Sequence, residues 1–150
     1  MHQPAFSRAA LALAARLPDR AAEEALREAL RYSPKHPGLQ WELARIAGRQ
    51  GEPGLALKEY RQALALDSFN RTKQTAAVGA MLDLSERLKR LGRQNDSEDA
   101  LRGASELLRG YRLLAQQTGG LDGRFNDRSF VLTQEAAGYG RRLEKHFGRH

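Results

Sequence analysis

Residues 51–70 read GEPGLALKEYRQALALDSFN. Within them Ala56, Tyr60, Ala63 and Leu64 recur at the i, i+4, i+7, i+8 spacing that lines one face of an α-helix. The same spacing stands 34 residues earlier as Ala22, Leu26, Ala29 and Leu30. Laid over one another without a gap, residues 3–36 and 37–70 also pair Ala9 with Leu43, Ala10 with Ala44, Leu13 with Ala47 and Pro34 with Ser68. Self-similarity at this period predicts a row of supersecondary units.

The turn residues agree with that division. Pro18-Asp19 and Pro53-Gly54 break the chain inside each unit. Each proline suits the first turn of a following helix, where its missing N–H leaves no bond unmade. Pro34 and Pro37 separate the units, and Gly51 suits the left-handed residue that ends a helix. Small residues such as Ala10, Ala22, Ala44 and Ala56 let helices approach closely, while Leu26 and Tyr60 fill the space between hairpins. One hairpin cannot bury its own apolar face, so such units stack.

On these residues the chain resembles the tetratricopeptide repeat family, whose unit is a helix–turn–helix of about 34 residues. The second unit supplies Leu43, Ala44, Gly51, Ala56, Tyr60 and Ala63, and the first Phe6, Ala10, Ala22, Leu26, Ala29 and Pro34. It departs from the pattern at three places. Gln40 stands at the first large position with Trp41 just after it, Ala47 replaces an aromatic, and Ser68 replaces the closing proline. The resemblance covers residues 3–70. It implies an all-α fold, a right-handed superhelix of antiparallel helical hairpins, and a concave face where peptides bind.

Beyond residue 70 the register fails but helical patterning continues. Residues 72–91 place Val78, Met81, Leu82, Ser85, Leu88 and Leu91 on one face. Gly92 and RQNDS make a break, after which Asn95, Asp96 or Ser97 is expected to cap the next helix. Residues 97–117 carry Leu101, Ala104, Leu107, Leu108, Tyr111, Leu114 and Ala115, completing a divergent hairpin over 71–117. TGGLDGRFND, residues 118–127, reads as a flexible connector. A last helix over about 128–147, with Leu132, Ala136, Tyr139, Leu143 and Phe147 on one face, is expected to cap the stack. The expectation is therefore a single helical-repeat domain over residues 1–150: repeats at 3–36 and 37–70, the hairpin at 71–117, and a linker with a cap helix at 118–150.

Composition narrows the functional classes. The chain has 150 residues and no cysteine, which excludes disulfides and thiolate metal sites. No apolar run approaches the ~20 residues of a membrane helix. AALALAA at residues 9–15 lacks the basic start of a signal peptide and is followed by Arg16, so a cytoplasmic location is expected, with the periplasm as the alternative. The formal charge of +7 is uneven. Residues 1–70 hold ten Lys/Arg against eight Asp/Glu, residues 71–108 seven against six, and residues 109–150 eight against four.

No catalytic group nominates itself, and the chain reads as a non-enzyme. His146 and His150 have ligand spacing but no acid between them, TGGLDG lacks a Lys-Ser/Thr ending, and no Gly-x-Ser-x-Gly elbow occurs. Glu23-Glu24 and Glu98-Asp99 are adjacent helical pairs near helix starts, where acids complement the dipole. No metal and no cofactor are expected.

The most suggestive constellation is Trp41, Arg45 and Arg49, at i, i+4 and i+8 on a face distinct from that of Leu43 and Ala47. The family resemblance places such a face on the inner groove. A flat apolar ring and two forked guanidiniums suit an acidic peptide or helical segment of another protein. The other reading packs Trp41 against a neighbouring hairpin, where it shields the arginine stems. Arg16, Lys73 and Gln74 would extend the surface. The expected function is a protein–protein interaction or scaffolding module within a larger complex. An uncovered, apolar end of the stack also offers a surface for a second copy. The alternative is nucleic-acid binding through the basic residues from Arg109 to Arg149, by phosphate contacts.

Overall fold

The computed structural model describes residues 4–122 and 127–147, with side chains within 7–117 and 131–147. Among the described residues there are seven α-helices and no strand. They are α1 (Pro4–Ala14), α2 (Asp19–Tyr32), α3 (Pro37–Arg49), α4 (Pro53–Leu66), α5 (Arg71–Arg90), α6 (Gln94–Asp122) and α7 (Asp127–Phe147). No helix among them is long and apolar enough to cross a membrane. The chain divides into two compact units, residues 1–68 and 69–150.

The first unit carries the repeat. α4 begins and ends 34 positions after α2, so the sequence period is a period of structure there. α1 packs on α2, α2 on α3, and α3 on α4, and α1 also meets α3. Ala22, Leu26, Ala29, Ala56, Tyr60 and Ala63 are all buried. The alanines carry no rotamer cost and let the neighbouring helix close in, while Leu26 and Tyr60 supply the apolar area. A core cluster joins Ala10 and Ala14 of α1, Leu26 and Ala29 of α2, and Leu39, Leu43 and Ile46 of α3. Buried Ser7 donates to Ser33 across 3.2 Å, tying α1 to the end of α2.

In α1 the repeat pairing holds at Ala10, buried like its counterpart Ala44, but not at Ala9 and Leu13. Ala9 is exposed and Leu13 is 53% exposed, although their respective counterparts Leu43 and Ala47 are buried. The reason is position: within this unit α3 has packed helices on both sides, whereas α1 meets only α2 and α3 among the described residues. The buried face of α1 is instead Ser7, Ala10 and Ala14.

The helix ends explain the turns. Pro53 sits in the first turn of α4 and Pro37 in that of α3, whereas Pro18 stands one place earlier, at the N-cap of α2. Gly51 has φ 75°. Its N–H donates to the Gly48 carbonyl, and the next N–H, of Glu52, donates to that of Ala47. This is the Schellman arrangement, and it requires a left-handed residue that glycine adopts without a Cβ clash. Gly92 repeats it at φ 78°, with bonds from Gly92 to Lys89 and from Arg93 to Leu88.

In the second unit α5, α6 and α7 all pack on one another. Met81, Leu82, Leu88, Leu101, Leu107, Leu108 and Tyr111 fill its core, joined by Leu132, Ala136 and Leu143 of α7. Three expectations are corrected here. α6 begins at Gln94, so Asn95, Asp96 and Ser97 lie inside the helix and do not cap it. Ser97 is buried, and its hydroxyl donates to the Ser85 carbonyl at 2.8 Å and lies 2.9 Å from the Ser85 hydroxyl. α6 also runs on to Asp122, through the first half of the expected connector. The glycines there weaken a helix by about 1 kcal/mol each and do not forbid it; residues 123–126 lie outside the described residues. Leu91 is 65% exposed, because the chain has already left α5.

Close helix contacts mark the glycines of this unit. A Cβ on Gly79 would stand 2.6 Å from the Tyr139 hydroxyl, so α5 makes room there for a ring from α7. Gln74 of α5 donates from Nε2 to the Leu107 carbonyl at 3.1 Å, directly over Gly110. Arg142 of α7 pairs with Glu86 of α5 at 2.6 Å.

Candidate functional site

α3 starts at a built N-terminus. His36 caps it, its Nδ1 accepting from the Leu39 N–H at 3.1 Å, and Pro37 follows in the first turn. The helix then buries Leu39, Leu43, Ala44, Ile46 and Ala47 and presents Trp41, Arg45 and Arg49 on three successive turns. All three therefore lie along one side of a helix whose other sides are packed.

Trp41 is half-buried. Its ring meets Tyr60 of α4 edge-on, with centroids 4.8 Å apart and planes at 69°. It thus packs on the second helix of its own hairpin and keeps part of its surface open. Burial pushes the Tyr60 phenol up to about 12, against the pull of Arg45; Glu42 adds to the rise and Arg49 opposes it. The phenol is therefore neutral at ordinary pH. The charged groups that act on it are those of the α3 surface.

Both arginines are half-exposed and both are engaged. Arg45 pairs with Glu42, one turn back, at 3.0 Å. Arg49 reaches Asp19, the first residue of α2, through Nε at 3.0 Å. Exposed pairs of this kind contribute roughly 0–1 kcal/mol, so an incoming carboxylate exchanges with them at little cost. Of the residues expected to extend the surface, Arg16 is exposed in the first unit, while Lys73 and Gln74 belong to α5 of the second. The Gln74 amide is used inside that unit, on Leu107.

Beside this face lies a polar cluster that the sequence reading did not find. Gln40 is 7% exposed and Glu59 3%. Gln40 Nε2 donates to a Glu59 carboxylate oxygen and, at 2.8 Å, to Gln62 Oε1. Arg27 of α2 stands 3.8 Å from the other Glu59 oxygen. Burial raises the Glu59 carboxyl above its usual range, against Arg27, Lys58 and the Gln40 hydrogen bond, with Glu23 adding to the rise. The cluster ties α2, α3 and α4 together. Its sequence signal was the departure at Gln40: a polar residue where the repeat has a large apolar one needs a buried partner.

The basic C-terminal region is not uniform. Arg142 is paired with Glu86, Arg109, Arg112, Arg141 and Lys145 are exposed, and the side chains of Arg124, Arg128 and Arg149 lie outside the described residues. Among the described residues no group of three or more His, Cys, Asp or Glu could hold a metal ion. Comparison of the chain with protein-family models and with curated proteins returns no match.

Proposed function

We propose that this chain is a non-catalytic interaction module of the tetratricopeptide-like kind, its hairpins stepping as a right-handed solenoid. The α3 face of Trp41, Arg45 and Arg49 binds an acidic peptide or helical segment of a partner protein, within a larger complex. Trp41 gives the apolar anchor, and Arg45 and Arg49 give charge-assisted, forked hydrogen bonds to carboxylates. The observation that carries the reading is that one helix of a 34-residue repeat keeps this trio outward while its remaining faces are packed.

The test is selection from a displayed peptide library on the immobilised chain, with Arg45→Glu/Arg49→Glu as the counter-target. The reading expects enriched peptides that are acidic, contain an apolar residue, and lose at least tenfold in affinity on the charge reversal. Peptides that bind both proteins equally would remove the α3 face from the account. Nucleic-acid binding through residues 109–150 would instead show affinity that falls steeply with salt and ignores Trp41→Ala.

A further inference from the structure

The second unit holds a cavity of about 240 Å³ where α6 faces α7. One wall is cationic: Arg109 and Arg112 sit one turn apart on α6, with the Ser105 hydroxyl a turn before them. The α7 side contributes the apolar Leu143 and Phe147 together with Glu144, and Leu108 of α6 adds to the apolar lining. Neither Arg109 nor Arg112 has an ion-pair or hydrogen-bond partner among the described residues. Like charges one turn apart cost a few tenths of a kcal/mol. Glu144, also on the lining, leaves one positive charge in excess.

The α7 backbone is shaped for this arrangement. A Cβ on Gly140 would lie 2.7 Å from Arg112 Nη2, so the bare glycine leaves room for that guanidinium against α7. The volume is below the ~300 Å³ at which pockets for drug-sized ligands begin, so a small occupant fits.

We propose that this cavity binds a small amphipathic anion: a carboxylate or phosphate head held by Arg109 and Arg112, carrying a compact alkyl or aryl group against Leu143 and Phe147. The two arginines supply several N–H donors, and Ser105 adds one more for a third oxygen. The apolar lining distinguishes this ligand from a free inorganic ion, and the small volume distinguishes it from a polynucleotide.

Nuclear magnetic resonance titration of the full chain tests the proposal, with hexanoate and phenyl phosphate as probes and acetate, inorganic phosphate and a DNA duplex as controls. Saturable shifts are expected at the Gly140 amide and the Arg109 and Arg112 Nε–H groups, with affinity for one probe at least tenfold above that of its control ion. Which probe binds separates the carboxylate from the phosphate source. Arg109→Gln/Arg112→Gln should abolish the shift at the Gly140 amide, and Gly140→Ala, which favours helix, should weaken binding several-fold by displacing Arg112. Equal affinity for probes and control ions would overturn the proposal. So would saturation by duplex DNA alone, or probe binding that survives the double substitution.

Discussion

Trp41 and Tyr60 meet edge to face across the second hairpin, 4.8 Å between ring centroids. The quadrupoles of two rings favour this geometry, which contributes roughly 0.5–1.5 kcal/mol beyond the area buried. A double-mutant cycle on Trp41→Leu and Tyr60→Leu, followed by urea denaturation, should return a coupling energy in that range. Tyr60→Ala alone should cost about 3–5 kcal/mol, as expected for deleting a buried aromatic.

Glu59 makes stability depend on pH in an unusual direction. Its folded-state carboxyl lies above the ordinary value of 4.5, so between that value and the raised one the folded chain holds more protons than the unfolded chain. This group's contribution to stability therefore falls as pH rises through that window. Glu59→Gln keeps an acceptor for Gln40 and removes the buried charge. It should be more stable than the parent at pH 7, by on the order of 1 kcal/mol, and the gap should close toward pH 4. Thermal melts of both proteins across that range read the difference.

Gly79 and Tyr139 form a matched pair between α5 and α7. With only 2.6 Å between a new Cβ and the phenol oxygen, Gly79→Ala must move the ring and should cost about 1–3 kcal/mol. Tyr139→Phe removes the clashing atom, so in the Gly79→Ala background it should restore part of the loss, a non-additivity that denaturant melts resolve. The same phenol is raised by burial and by Glu135 and Asp83, against Arg142.

Ser85 and Ser97 bridge α5 and α6 in an apolar setting. Ser97→Ala leaves the Ser85 hydroxyl and carbonyl buried with a bond lost, and should cost about 1–3 kcal/mol in a urea melt. The paired change of both serines to alanine should cost less than the sum of the two single changes.

The sequence was most readable where one helix face meets one neighbour. The stripes of α2 and α4, the left-handed Gly51 and the break at Gly92 depend on local spacing and backbone preference, and they stand as read. Leu13 is exposed although Ala47, its counterpart in the repeat, is buried, because burial in an array depends on how many neighbours a helix has, which the repeat pattern does not encode. Ser97 looked like a cap because a serine after a break has the same local signature whether it bonds its own helix or the next. The Trp41, Arg45 and Arg49 face was visible from spacing. Its ion pair to Asp19 and the buried Gln40–Glu59 contact were not, since both join residues far apart in the chain.

Trp41 is the only tryptophan in the sequence, so its emission reports directly on the proposed docking face. The decisive measurement is a fluorescence titration of the full chain with the tightest acidic peptide from the library selection. A saturable change in Trp41 emission that Arg45→Glu/Arg49→Glu abolishes is the predicted result. A peptide that binds, by calorimetry, without altering Trp41 emission and with undiminished affinity for the charge-reversed chain would contradict the account.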